Sequence, residues 1–96
     1  MYEHTMIKTG KGPIEAFAIS LGPKNLVLLK GSKGFVMCGY LNLAVAQKFN
    51  DVAIKITGVA SIKEALAANV HSCTAAARRL GIRKGQTIRD VLTIIT

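Results

Sequence analysis

Lys33-Gly34-Phe35-Val36-Met37-Cys38-Gly39-Tyr40-Leu41 divides the chain into two kinds of sequence. Short strand-like runs precede it, and mostly helical patterns follow it. Apolar, strand-forming residues run from Phe35 to Cys38, and Gly34 and Gly39 bracket them with permissive backbone. The spacing therefore predicts a strand that ends at a thiol, where loops begin and sites are commonly placed.

Upstream, residues 4–9 and 12–21 read as two extended segments joined by Gly10-Lys11-Gly12, a hairpin junction. Within the second segment, Ile14, Ala16 and Ala18 share one face and Phe17, Ile19 and Leu21 the other. Gly22-Pro23-Lys24-Asn25 is a turn, Leu26 to Leu29 a third strand, and Lys30 to Gly34 the turn into the fourth. Three tight connections in succession predict an antiparallel meander.

Downstream, Leu41, Leu43, Val45, Ala46 and Phe49 fit a helical stripe beginning near Asn42, a good N-cap. Asn50-Asp51 stops that helix, and Val52 to Thr57 reads as a fifth strand closed by Gly58. Ser61-Ile62-Lys63-Glu64 matches a capping box for a helix to about Ala68. Ser72 to Leu80 reads as a further helix stopped by Gly81. Thr87-Ile88-Arg89-Asp90 starts a last one that should bury Ile88, Val91, Leu92 and Ile95. The predicted class is α+β: a four-stranded antiparallel meander, a fifth strand after a helix, and C-terminal helices packed on the sheet.

A chain of 96 residues, half of them apolar, is one ordered domain, 1–96, with a modest core. No apolar run approaches the roughly 20 residues that span a bilayer, and Met1-Tyr2-Glu3-His4 lacks the pattern of a signal peptide. The expected location is cytoplasmic, without a membrane partner, and both cysteines should be free thiols there. Thirteen Lys and Arg against five Asp and Glu give a net charge of +8. That charge permits polyanionic partners, although a solvated basic face is the preferred reading.

Chemistry-bearing residues are few. Cys38 at a strand end could leave its sulfur beside open amides, while the ordinary reading is a small hydrophobe closing a core strand. Cys73 falls in the first turn of the predicted helix with His71 two residues earlier, so the three could converge for nucleophilic catalysis or on a metal. Recurrent CxxC or HxxxH spacing and a fourth ligand are both lacking, so no metal site, cofactor or catalytic residue is assigned. Glu64 and Asp90 serve as helix caps, Glu3, Glu15 and Asp51 are scattered, and Gly31-Ser32-Lys33-Gly34 lacks Walker spacing.

Ala75 to Arg89 is similar to the helix-turn-helix of the Fis-type DNA-binding family, with Arg78, Arg79, Arg83, Lys84 and Arg89 as phosphate contacts. The segment from Gly81 to Thr87 is one residue longer than that motif, which turns the second helix by about 100°. An ordinary helical hairpin is the preferred expectation.

A second resemblance spans nearly the whole chain. Gly34-Phe35-Val36-Met37-Cys38-Gly39-Tyr40-Leu41-Asn42, then Ile56-Thr57-Gly58-Val59-Ala60-Ser61-Ile62, then Ala76 to Gly85, follow in order the landmarks of the YunC-like family, a bacterial and archaeal domain of unknown function, which the chain resembles. The resemblance implies a compact α+β fold and cytosolic life. It maps a shared Met-Cys-Gly element onto Met37, Cys38 and Gly39 and a Gly-Val pair onto Gly58 and Val59. It also puts Asn42 where members often have Asp, and it disfavours the nucleic-acid reading. The expectation is a non-catalytic accessory or small-ligand-binding domain, a homo-oligomer, with a pocket involving Cys38, Gly39, Asn42, Gly58 and Cys73. A cysteine-dependent enzyme is the third alternative.

Overall fold

A computed structural model describes residues 2–96. Its centre is one mixed sheet of six strands in sequential order. The first four, β1 (Tyr2–Thr9), β2 (Gly12–Leu21), β3 (Lys24–Lys30) and β4 (Phe35–Met37), form the expected antiparallel meander. Helix α1 (Leu43–Lys48) then carries the chain to β5 (Ala53–Lys55), which pairs with β4 in parallel. The parallel partner is the physical consequence of the intervening helix, because only a crossover returns the chain in the same direction.

Local chemistry explains the helix limits. The Asn42 side chain accepts from the Ala44 amide at 2.8 Å and caps α1, and Asn50 ends the following turn at φ 59°. In α2 (Ile62–Ala67) the Ser61 hydroxyl accepts from the Glu64 amide at 3.1 Å, as a capping box requires. The returning Glu64 carboxylate reaches the Ala60 amide at 2.7 Å rather than that of Ser61, one residue further out.

The segment after α2 departs from expectation. Ser72 and Cys73 are extended, forming β6 (Ser72–Cys73), the antiparallel edge partner of β5. The helix begins only at α3 (Ala75–Arg79), capped by the Thr74 hydroxyl. Thr74 decides this boundary: its buried hydroxyl accepts from the Ala53 amide at 3.2 Å and donates to the Asp51 carbonyl at 2.6 Å. Both bonds fix the approach to β5 and hold the preceding dipeptide against it.

The anticipated helical hairpin is also absent. Helix α3 packs on β5, whereas α4 (Ile88–Ile95) packs on α2. Between them Ile82 is fully buried, which draws the connection into the core. Helix α4 buries Ile88, Val91, Leu92 and Ile95, the predicted stripe, but Thr87 makes no side-chain capping bond, so the expected capping role of Thr87 and Asp90 is not formed.

The sheet has two unequal faces. Ile14, Ala16, Ala18, Val27, Leu29, Val36, Cys38, Ile54 and Ile56 join α2 and α4 in the main core. On the reverse face Met37, Ala46 and Ala53 form a small second cluster beside α1. No helix among the described residues is long and apolar enough to cross a membrane.

Candidate functional site

Strand β4 ends abruptly, and the reason is visible in its hydrogen bonds. The Cys38 carbonyl turns away to accept from the Leu41 amide at 3.2 Å, closing a tight turn over Gly39 and Tyr40. Continued in register, Cys38 would face Val27 on β3, and its sulfur takes over that partnership by accepting from the Val27 amide at 3.4 Å. The thiol is only 3% exposed. It satisfies a backbone donor at the end of a strand, which is structural work.

Beyond that sulfur lies a cleft of about 470 Å³. The exit from β4 supplies Cys38, Gly39 and Tyr40, and the segment beyond β5 supplies Gly58, Val59 and Ala60. The β2–β3 turn contributes Pro23, Lys24 and Asn25 as the third wall. The walls are tied together: the Asn25 amide nitrogen donates to the Ala60 carbonyl at 2.8 Å. Tyr40 shares its hydroxyl proton between the carbonyls of Leu21 at 3.0 Å and Lys24 at 3.4 Å. Gly58 has φ 70°, and a side chain there would be strained even though nothing crowds the space.

Lys24 is the one charged side chain in this lining. Among the described residues, the amides of Gly39, Tyr40, Gly58 and Val59 have no hydrogen-bond acceptor within the protein. The cleft also sits outside the carboxyl ends of the two parallel strands, the place where open sheets leave room for ligands.

Of the five residues singled out in the sequence, the structure brings together Cys38, Gly39 and Gly58. Asn42 is elsewhere, committed to capping α1. Cys73 lies across β5 from Cys38, two strand spacings or about 9–10 Å away laterally. It is in the core rather than at a helix N-terminus, and its sulfur donates to the Ile82 carbonyl at 3.8 Å. His71 is exposed and meets the Ser72 hydroxyl. No three metal-ligating side chains cluster among the described residues. Lys24, Asn25 and Tyr40 escaped the sequence reading because nothing local ties a hairpin turn to segments 14 and 35 residues later.

The basic residues of the 75–89 segment have local duties. Arg78 donates to the Cys73 carbonyl at 2.9 Å, and Arg83 donates to the carbonyls of Arg78 and Ile82 at 2.6 and 3.0 Å. Arg79, Lys84 and Arg89 are exposed.

A family model described as "Domain of unknown function (DUF1805)" matches residues 37–95, a span that takes in two walls of the cleft. The chain belongs to the DUF1805 family. Uncharacterized protein YunC of Bacillus subtilis is 33% identical to it over 84 residues, 83% of each chain. Among solved structures, a protein of unknown function, TA1206 from Thermoplasma acidophilum, superimposes with a TM-score of 0.95 at 33% identity. That match covers 100% of this chain and 94% of the other. The printed descriptions of these relatives bring no reaction with them.

Proposed function

We propose that this DUF1805 chain is a non-catalytic binding domain whose cleft beside Cys38-Gly39 takes a small molecule bearing a carboxylate or phosphate. One observation carries the reading: a single lysine shares the cleft with four backbone amides that lack partners. A cation beside several N–H donors is the complement of a small oxyanion. Pro23, Val59, Ala60 and the Tyr40 ring offer apolar contact to the rest of such a molecule, and the volume falls in the range of small-ligand sites. The lining contains no His, Asp or Glu to move a proton, and the Cys38 thiol and Tyr40 hydroxyl are already engaged. The reading places the domain in the cytosol, which two unbridged cysteines support.

Amide chemical-shift titration tests it, using inorganic phosphate, citrate and short dicarboxylates at constant ionic strength. The expected shifts are confined to Gly39, Tyr40, Gly58, Val59 and their neighbours, and Lys24→Met weakens binding about tenfold. Shifts scattered over all lysines and arginines, or none in the cleft, overturn the proposal.

A further inference from the structure

The end of β4 opposite the cleft opens onto a second hollow, of about 410 Å³. One rim is the β3–β4 turn, and the other is the Asp51-Val52 approach to β5. The rims are fixed at their base. The Phe35 amide donates to the Val52 carbonyl at 3.0 Å, and Gly34 lies so close to Val52 that a Cβ there would meet its carbonyl oxygen at 2.5 Å. The turn itself is closed by a bond from the Gly31 amide to the Gly34 carbonyl at 2.8 Å. Neither rim waits for a guest to order it, which spares a ligand that cost.

The floor is apolar. Leu28 and Phe35 stand on the reverse face of the sheet, opposite in direction to Leu29 and Val36 of the main core. Together with Leu41 and Val52 they line the hollow and are only half-buried. Phe35 and Leu41 rest on the small cluster of Met37, Ala46 and Ala53, so this floor is backed by packed side chains.

The rims carry charges of both signs. Lys30, Ser32 and Lys33 belong to the turn, and Asp51 to the opposite side. Among the described residues, the Ser32 hydroxyl and the amides of Ser32 and Gly34 have no partner within the protein. Asp51 engages only its main chain, donating from its amide to the Ala46 carbonyl at 2.9 Å and accepting at its carbonyl from the Thr74 hydroxyl. Its half-buried carboxylate has no ion-pair partner among the described residues, although two lysines line the same hollow. Opposite charges are thus held apart across an apolar floor.

We infer that this hollow takes a free α-amino acid with a large apolar side chain, of the leucine or phenylalanine type. Lys33 and Ser32, with Lys30 beside them, receive its carboxylate, Asp51 receives its ammonium, and Leu28, Phe35 and Leu41 receive its side chain. Complementarity of both signs carries the assignment. A plain anion would be repelled by the unpaired Asp51 carboxylate, and a plain amine by the two lysines. A ligand bearing both charges on one carbon, with a hydrocarbon branch, uses every one of these groups. The volume lies within the range of small-ligand sites. The inference is independent of the cleft, because no residue lines both.

Amide chemical-shift titration with leucine, leucinamide and N-acetylleucine at constant ionic strength tests it. Leucine is expected to shift Ser32, Lys33, Gly34, Phe35, Asp51 and Val52 and to saturate in the millimolar range. Each blocked analogue has lost one charge and should bind about tenfold more weakly. Two variants assign the ends. Asp51→Asn, which keeps the main-chain bonds, should weaken leucine about tenfold and N-acetylleucine not at all. Lys33→Met should weaken leucine and leave leucinamide no weaker. Unchanged far-UV circular dichroism shows that both variants fold. Absence of leucine shifts in the hollow, a blocked analogue that binds as tightly as leucine, or an Asp51→Asn protein with unaltered leucine affinity overturns the inference. Shifts at Gly39 and Gly58 in the same spectra report on the cleft, so each reading stands or falls on its own signals.

Discussion

A Cβ at Gly31 would overlap the carbonyl oxygen of Ile95 and press on the Ile14 side chain. Nearby, the Lys33 amide donates to that same carbonyl at 2.9 Å, so the end of α4 is clamped into the β3–β4 turn. Gly31 is there for space, and its neighbour at that point is backbone, which cannot swing aside. Gly31→Ala is expected to cost about 2–3 kcal/mol in urea unfolding. Gly10→Ala, where a Cβ meets nothing within 4 Å, should be close to neutral. Equal effects of the two would show that the clamp is not specific. The composition of Gly31-Ser32-Lys33-Gly34 resembles a phosphate loop, but close approach to a helix end is what requires its first glycine.

Elements were legible in the sequence where their cause was local. The stripe Ile88, Val91, Leu92 and Ile95, the caps at Asn42 and Ser61, and the alternation Ile14, Ala16, Ala18 all follow from periodicity or from side chains meeting amides two or three residues away. Strand β6 was not legible, because Ser72 and Cys73 are extended only through their pairing with Lys55 and Ile54. Half of the cleft was hidden for the same reason: Cys38, Gly39 and Gly58 stand out as glycines and a thiol at element ends, but the wall from Lys24 and Asn25 arrives by tertiary folding. Thr74 carries the misread boundary. Three bonds converge on its hydroxyl, linking the Asp51 carbonyl, the Ala53 amide and the α3 cap. Thr74→Val should cost about 2–4 kcal/mol by leaving buried partners unmet, and Thr74→Ser should recover most of it. If valine unfolds no more easily than serine, the hydroxyl is not what sets the β6–α3 junction.

The whole molecule carries +8, and no Lys or Arg among the described residues lies against a carboxylate. Its long-range field is accordingly little compensated. Oxyanion capture by Lys24 is an attraction that screening weakens. Raising sodium chloride from 20 to 300 mM, as a rough working range either side of the physiological Debye length, should therefore loosen citrate in the titration. A citrate affinity that does not fall would mean that the cleft has been assigned the wrong electrostatics. A domain of this length has a total stability of roughly 5–14 kcal/mol, so the Thr74 and Gly31 losses are sizeable fractions of it.

The chain has no tryptophan and two tyrosines. Tyr40 stands at the mouth of the cleft with its hydroxyl bonded to the neighbouring turn, and Tyr2 stands on the bare edge of the sheet. The cleft therefore carries its own ultraviolet emitter, free of any brighter indole. Replacing Tyr2 by phenylalanine leaves a protein whose intrinsic fluorescence reports on the cleft alone.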